Sequence, residues 1–101
     1  MGMANLQRMA MQMQQEIVRV QEELATTQVD GSAGGGVVKA VVNGKQEIVS
    51  VTIDPSAADP ADVEMLQDLI VAAISEAQRA ARELGEAKMA AVTGGMRLPG
   101  M

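Results

Sequence analysis

The reading turns on Val37-Val38-Lys39-Ala40-Val41-Val42-Asn43-Gly44-Lys45-Gln46-Glu47-Ile48-Val49-Ser50-Val51-Thr52-Ile53. Two β-branched runs flank Asn43-Gly44, and Asn-Gly signals a two-residue hairpin turn because both residues tolerate positive φ. Pairing Val42 with Lys45 places Val38, Ala40 and Val42 on one face with Val49, Val51 and Ile53. Lys39 then shares the other face with Gln46, Ser50 and Thr52, so turn chemistry and side-chain alternation agree. Val37, Val41 and Ile48 also fall on this nominally polar face, which is therefore expected to be partly covered by neighbouring strand residues or by another subunit.

On the N-terminal side, Thr26, Thr27 and Val29 are β-formers that supply a short first strand, and Asp30-Gly31-Ser32-Ala33-Gly34-Gly35-Gly36 reads as a loop. The sheet is thus expected over about 26–54. From Met3 to about Ala25 there is no Pro or Gly, and apolar residues recur at Leu6, Met9, Met13, Ile17, Val20 and Leu24. These intervals of three and four are the period of one helix face, which predicts a helix over about 3–25.

On the C-terminal side, Asp54-Pro55 reads as a turn. In Asp59-Pro60-Ala61-Asp62, an N-cap residue precedes a Pro at the first helical position and an acid in the first turn. A second helix is predicted over about 60–91, with an apolar face of Val63, Leu66, Ile70, Ala73, Ala77, Ala81 and Leu84. Gly85 is its weak point. Gly94-Gly95 ends it, leaving a tail, 94–101, that has nothing to pack on and is expected to be mobile.

At 1.5 Å per residue the helices span roughly 35 and 45 Å, whereas a globule of this size has a radius of gyration near 13 Å. A compact monomer cannot contain both. One domain over 1–101 is expected: an α+β protomer in which long terminal helices project from a small antiparallel sheet, with two chains sharing a core.

Composition narrows the chemistry. The 101 residues include no Phe, Tyr, Trp, Cys or His. Stacking of bases on aromatics, disulfides, thiol or imidazole catalysis and His- or Cys-based zinc and haem sites are all excluded. Gln7, Arg8, Gln12, Gln14 and Gln15 interrupt the Met-rich N-terminus, so it is neither a signal-peptide core nor a membrane span, and a cytoplasmic protein is expected. Neither a cofactor nor a small-molecule substrate is expected. The Gly-rich stretch precedes a strand, where a nucleotide-binding loop would open a helix. Seven acids lie between Glu47 and Glu76 with no Lys or Arg among them. Asp59 and Asp62 are better explained by capping and the helix dipole than by catalysis. Met9 and Met13 read as core or dimer interface.

The cations are more informative. Eight Lys and Arg oppose thirteen Asp and Glu, a formal net charge of −5, yet five of the eight lie in the terminal segments: Arg8, Arg79, Arg82, Lys88 and Arg97. Arg19 has Glu16, Glu22 and Glu23 within helical reach, and Arg79 and Arg82 have Glu76, Glu83 and Glu86. Arg8, Lys88 and Arg97 have no acid three or four positions away. Arms with basic tips and an acidic body would let phosphate contacts coexist with the negative total.

Five segments in order resemble the YbaB/EbfC family of bacterial nucleoid-associated proteins. They are Met9-Ala10-Met11-Gln12-Met13-Gln14-Gln15-Glu16; the Gly-rich loop leading to Val37-Val38-Lys39 and Val41-Val42-Asn43-Gly44; Val51-Thr52-Ile53-Asp54-Pro55-Ser56; Glu64 to Ala73; and Lys88 to Met96 with Leu98-Pro99-Gly100. The resemblance implies an α-β-β-β-α protomer, a tweezer-like homodimer, no enzymatic activity, and binding of double-stranded DNA in the nucleoid. It places the DNA contacts on the helical arms, around Arg8 in the first helix and Arg79, Arg82 and Lys88 in the last, and Arg97 in the tail is a further candidate contact. The alternative from another class is a dimeric protein-interaction module using the Met- and Ala-rich helix faces. Reversing Arg8 and Lys88 to Glu should abolish DNA retention under the first reading only.

Overall fold

A computed structural model describes residues 2–94. It consists of α1 (Met3–Thr26), β1 (Gln28–Ala33), β2 (Val38–Asn43), β3 (Ile48–Ile53) and α2 (Val63–Thr93). The strands form one antiparallel sheet in the order β1-β2-β3. This is the α-β-β-β-α arrangement that the hairpin and the flanking periodicities imply. Arg97 and all but Gly94 of the tail lie outside the described residues.

The hairpin departs from its predicted register. Val38 faces Ile53 and Ala40 faces Val51, where a two-residue turn would have set Val38 against Val49. From Val38 to Val41 the slip is an even number of positions, so the faces are preserved there. Asn43 causes it. Its side-chain Oδ1 accepts from the backbone N–H of Lys45 (2.9 Å) and of Glu47 (3.0 Å), closing a wider loop. The left-handed residue in that loop is Gln46, with φ +69°, rather than Gly44. An irregularity at Val41/Val42 then brings Ile48 opposite Val42. Ile48 and Val41 are exposed and half-buried respectively, and Val37 packs onto the core from the turn preceding β2.

β1 is longer than its composition suggests, because Asp30 to Ala33 belong to the strand and only Gly34–Gly36 forms the turn. All three of those glycines have positive φ, which side chains would strain. Gly31 is in the strand for a different reason. A Cβ there would stand 2.4 Å from the backbone nitrogen of Ala77 and 2.7 Å from the carbonyl oxygen of Ala73. The α2 backbone lies directly on β1 at that point.

The small residues of α2 make this approach possible. Ala73, Ala77 and Ala81, spaced by four along one helix stripe, are fully buried against Val38, Ala40 and Val42. Leu66, Leu69, Ile70 and Ile74 extend the contact, joined by Val29, Ala33 and Ile53 from the sheet. Val63, expected on this face, is instead half exposed, because the regular helix begins only there. Asp59 caps a single 3-10 turn at Pro60–Asp62 through the Ala61 N–H, and Asp62 is the cap of α2, accepting from the Met65 N–H. Asp54 likewise closes the turn after β3 by accepting from the N–H and hydroxyl of Ser56.

α2 packs chiefly over β1 and β2 and makes little contact with β3. No residue of β3 is buried. At its other end α2 runs back along the C-terminal half of α1, where Val20 and Leu24 are buried. The N-terminal half of α1 projects beyond this contact with Met3, Leu6 and Met9 exposed. The protomer is accordingly elongated, with extents of 71 × 28 × 16 Å and a radius of gyration of 19.5 Å.

Gly85 is a tolerated helix residue rather than a required one. A Cβ there would meet Leu24 Cδ1 at 3.7 Å and the Gly44 carbonyl oxygen at 3.8 Å, ordinary contact distances. Gly85→Ala is therefore expected to stabilise the fold by about 0.5–1 kcal/mol through the gain in helix propensity. A melting temperature below that of the wild type would show that the α1–α2 contact has no room for a methyl group.

Candidate nucleic-acid interface

Each predicted contact residue except Arg97, which lies outside the described residues, has a definite place. Arg8 lies on the projecting half of α1, exposed. The first turn of α1 contains no acid, and Gly2 offers no capping side chain, so the positive end of the helix dipole is not neutralised near Arg8. Arg79 on α2 pairs with Glu83 at 3.1 Å. Arg82, one turn further on, is exposed and has no ion-pair partner among the described residues.

Lys88 is where local reading misleads. It has no acid within helical reach, but the antiparallel run of α2 along α1 brings its Nζ to 2.5 Å from Glu23 Oε1. Glu23 also receives Arg19 at 3.3 Å, and Arg19 meets Glu16 at 2.8 Å. The hydrogen bond and charge of Lys88 hold the Glu23 carboxyl below the usual carboxylate range. Arg19 does the same to Glu16. Both acids therefore remain ionised near neutral pH, and Arg19 and Lys88 stay partnered. The predicted bases are spread along the molecule: Arg8 on the free arm, Arg79 and Arg82 beside the sheet, Lys88 at the helix junction.

Two cations that sequence reasoning passed over are Lys39 and Lys45. Lys39 is exposed on the outer face of β2 and Lys45 on the β2–β3 turn, both without an ion-pair partner among the described residues. The turn is held from both sides. The Gly44 N–H donates to the carbonyls of Leu24 (2.8 Å) and Thr27 (2.9 Å), and Gln78 Nε2 donates to the Gln46 carbonyl at 3.1 Å. Gly44 is glycine because a Cβ would stand 2.7 Å from the Leu24 carbonyl oxygen. A groove of about 410 Å³ opens beside the turn, bordered by Gln21, Lys45, Gln46, Arg82 and Glu86. The signal available in the sequence was Lys45 following Asn43-Gly44 at an exposed tip, but nothing local links it to Arg82.

No cluster of three acids capable of holding a metal occurs among the described residues. No helix among them is long and apolar enough to cross a membrane.

A family model described as the YbaB/EbfC DNA-binding family matches residues 1–96. This chain belongs to that family. YbaB/EbfC proteins are non-enzymatic architectural DNA-binding proteins. Among its YbaB/EbfC relatives, a nucleoid-associated protein of Moorella thermoacetica is 53% identical over 103 residues, covering 99% of both chains. A nucleoid-associated protein of Chloroflexus aurantiacus is 50% identical over 97 residues, 96% of this chain and 97% of its own. The fold is similar to the crystal structure of an uncharacterized protein from Helicobacter pylori. The TM-score is 0.74 at 26% identity, over 86% of this chain and 91% of that one.

Proposed function

We propose that this YbaB/EbfC protein binds double-stranded DNA in the bacterial nucleoid as a homodimer, through phosphate contacts that carry little sequence information. The observation that carries the reading is which cations are free. Arg8, Lys45 and Arg82 are exposed and have no ion-pair partner among the described residues, so a chain of net charge −5 still has positive groups to offer phosphates. Base-edge readout needs side chains that hydrogen-bond in a groove or stack, and with no aromatic or His the chain has only a few Arg, Asn and Gln for it. Nucleoid-associated relatives at about half identity over nearly the full length support the location.

The homodimer reading is supported by β3. This strand is one edge of the sheet, it contains only Ile, Val, Ser and Thr, and Ile48 and Val49 are about half exposed. A long, uncharged edge with open hydrogen-bonding groups is a pairing surface that monomeric proteins avoid. The opposite edge, β1, carries Asp30 and Gly31 and lies under α2. Antiparallel pairing of β3 with β3 of a second copy satisfies the open edge and covers Val49 and Val51.

The rival, a protein-interaction module, loses its Ala-rich face, which the sheet occupies. It keeps the exposed Met3, Leu6 and Met9.

Fluorescence anisotropy of a labelled mixed-sequence duplex, titrated at low and near-physiological salt, separates the two. Phosphate contact predicts binding shared by unrelated sequences, with a log–log salt slope of about −4 to −7 for roughly two to four contacts per protomer. Absence of binding at low salt would transfer the assignment to the protein-interaction reading.

A further inference from the structure

We infer that the β2–β3 turn is a second phosphate-contact point, separate from the projecting α1 arm, in which Lys45 and Arg82 grip the backbone of the same duplex. The inference rests on the DNA-binding reading and adds a site to it. Three observations converge on this place. Lys45 and Arg82 come from different elements yet border one groove, and neither is neutralised by an acid among the described residues. Glu86 borders the same groove without pairing to either, so the rim carries two positive charges against one negative.

The turn is also fixed in advance. Gly44 is bonded to α1 through Leu24 and Thr27, Asn43 Nδ2 reaches the Ala25 carbonyl at 3.3 Å, and Gln78 of α2 holds the Gln46 carbonyl. A cation on such a turn loses less freedom on binding than one on a mobile loop, which is how preorganisation raises affinity. Finally, Gln46 keeps a side chain at φ +69°, where glycine is the unstrained choice. Strain of that kind persists where the residue has a use. Gln46 and Gln21 both border the groove and supply neutral amide donors beside the two cations.

Salt-dependent anisotropy on the full chain tests the site with charge-matched variants. Lys45→Gln and Lys39→Gln each remove one positive charge from an exposed position of the β2–β3 hairpin. Only the first touches the groove. Lys45→Gln is expected to weaken binding to duplex DNA about tenfold at low salt and to make the salt slope shallower by about 0.9 per protomer. Lys39→Gln should change affinity less than about twofold. Lys45→Gln/Arg82→Gln should lose about twice the slope of the single variant. Gln46→Gly should raise the melting temperature while weakening binding, a combination that a purely structural role would not give.

Equal losses for Lys45→Gln and Lys39→Gln would mean that only the overall field matters, and would overturn the site while leaving DNA binding intact. A wild type that fails to bind duplex at low salt would overturn the DNA reading itself, and the site with it.

Discussion

Gly31→Ala is expected to be the most damaging single-methyl change in the protein, lowering stability by about 3 kcal/mol. Two effects compete. Alanine in a strand gains roughly 0.5–1 kcal/mol over glycine through reduced chain entropy. Against this, the new Cβ would stand 2.4 Å from the Ala77 nitrogen, 2.7 Å from the Ala73 oxygen and 2.9 Å from the Ala77 Cα. All three are helix backbone atoms, which cannot rotate aside as a side chain could.

Relief therefore requires α2 to lift from β1, opening the contacts of Ala73, Ala77 and Ala81 with Val38, Ala40 and Val42. The steric cost exceeds the entropic gain, and about 3 kcal/mol is a large part of the stability of a small domain. With no aromatic residue to report tertiary structure, far-UV circular dichroism is the appropriate probe. The melting temperature should fall by about 10–20 °C at matched protein concentration. An unchanged or raised melting temperature would show that α2 does not sit on β1 as described.

The second large effect concerns association. Val49→Lys/Val51→Lys should convert a dimer into a monomer with the 10.5 kDa mass of one chain, as read by light scattering. Neither residue is buried within the protomer, so the substitutions remove little intramolecular packing. Charges placed on an edge strand are the device by which monomeric proteins prevent pairing. If both protomers contact one duplex, the second contact is effectively intramolecular, and its loss should weaken DNA binding by about a hundredfold or more. That loss would come despite two added positive charges, which on their own favour DNA. A variant that remains dimeric would place the interface elsewhere, and a monomer with wild-type affinity would show that one protomer suffices.

Much of this architecture is legible in local sequence, and the exceptions share a cause. The Val38-Ala40-Val42 face follows from alternation alone, and an even register slip leaves it intact. The slip itself depends on the Asn43 side chain engaging Lys45 and Glu47, an option that Asn-Gly statistics do not weigh. Asp30 to Ser32 resemble a loop because the reason for Gly31 lies in Ala73 and Ala77, more than forty residues away. The Ala stripe and the strand glycine are each unremarked alone and become meaningful as a pair.

The same holds for the charges. Helical spacing finds the partners of Arg19 and Arg79 because both ion pairs are local. It leaves Lys88 free because Glu23 is on another helix, and it treats Arg82 as paired although no acid among the described residues reaches it. Lys45 passes for an ordinary turn residue until α2 is seen to bring Arg82 beside it. Which cations remain available to a ligand is a tertiary property.

The elongated shape sets how such a protein would fill a chromosome. At about 3.4 Å per base pair, each protomer, 71 Å long, covers at most about 21 base pairs if aligned with the duplex. Every molecule that lands then removes many overlapping starting positions, and the gaps left between neighbours are often too short to accept another. Coverage of long DNA should begin readily and approach completeness slowly, leaving scattered bare intervals open to other proteins.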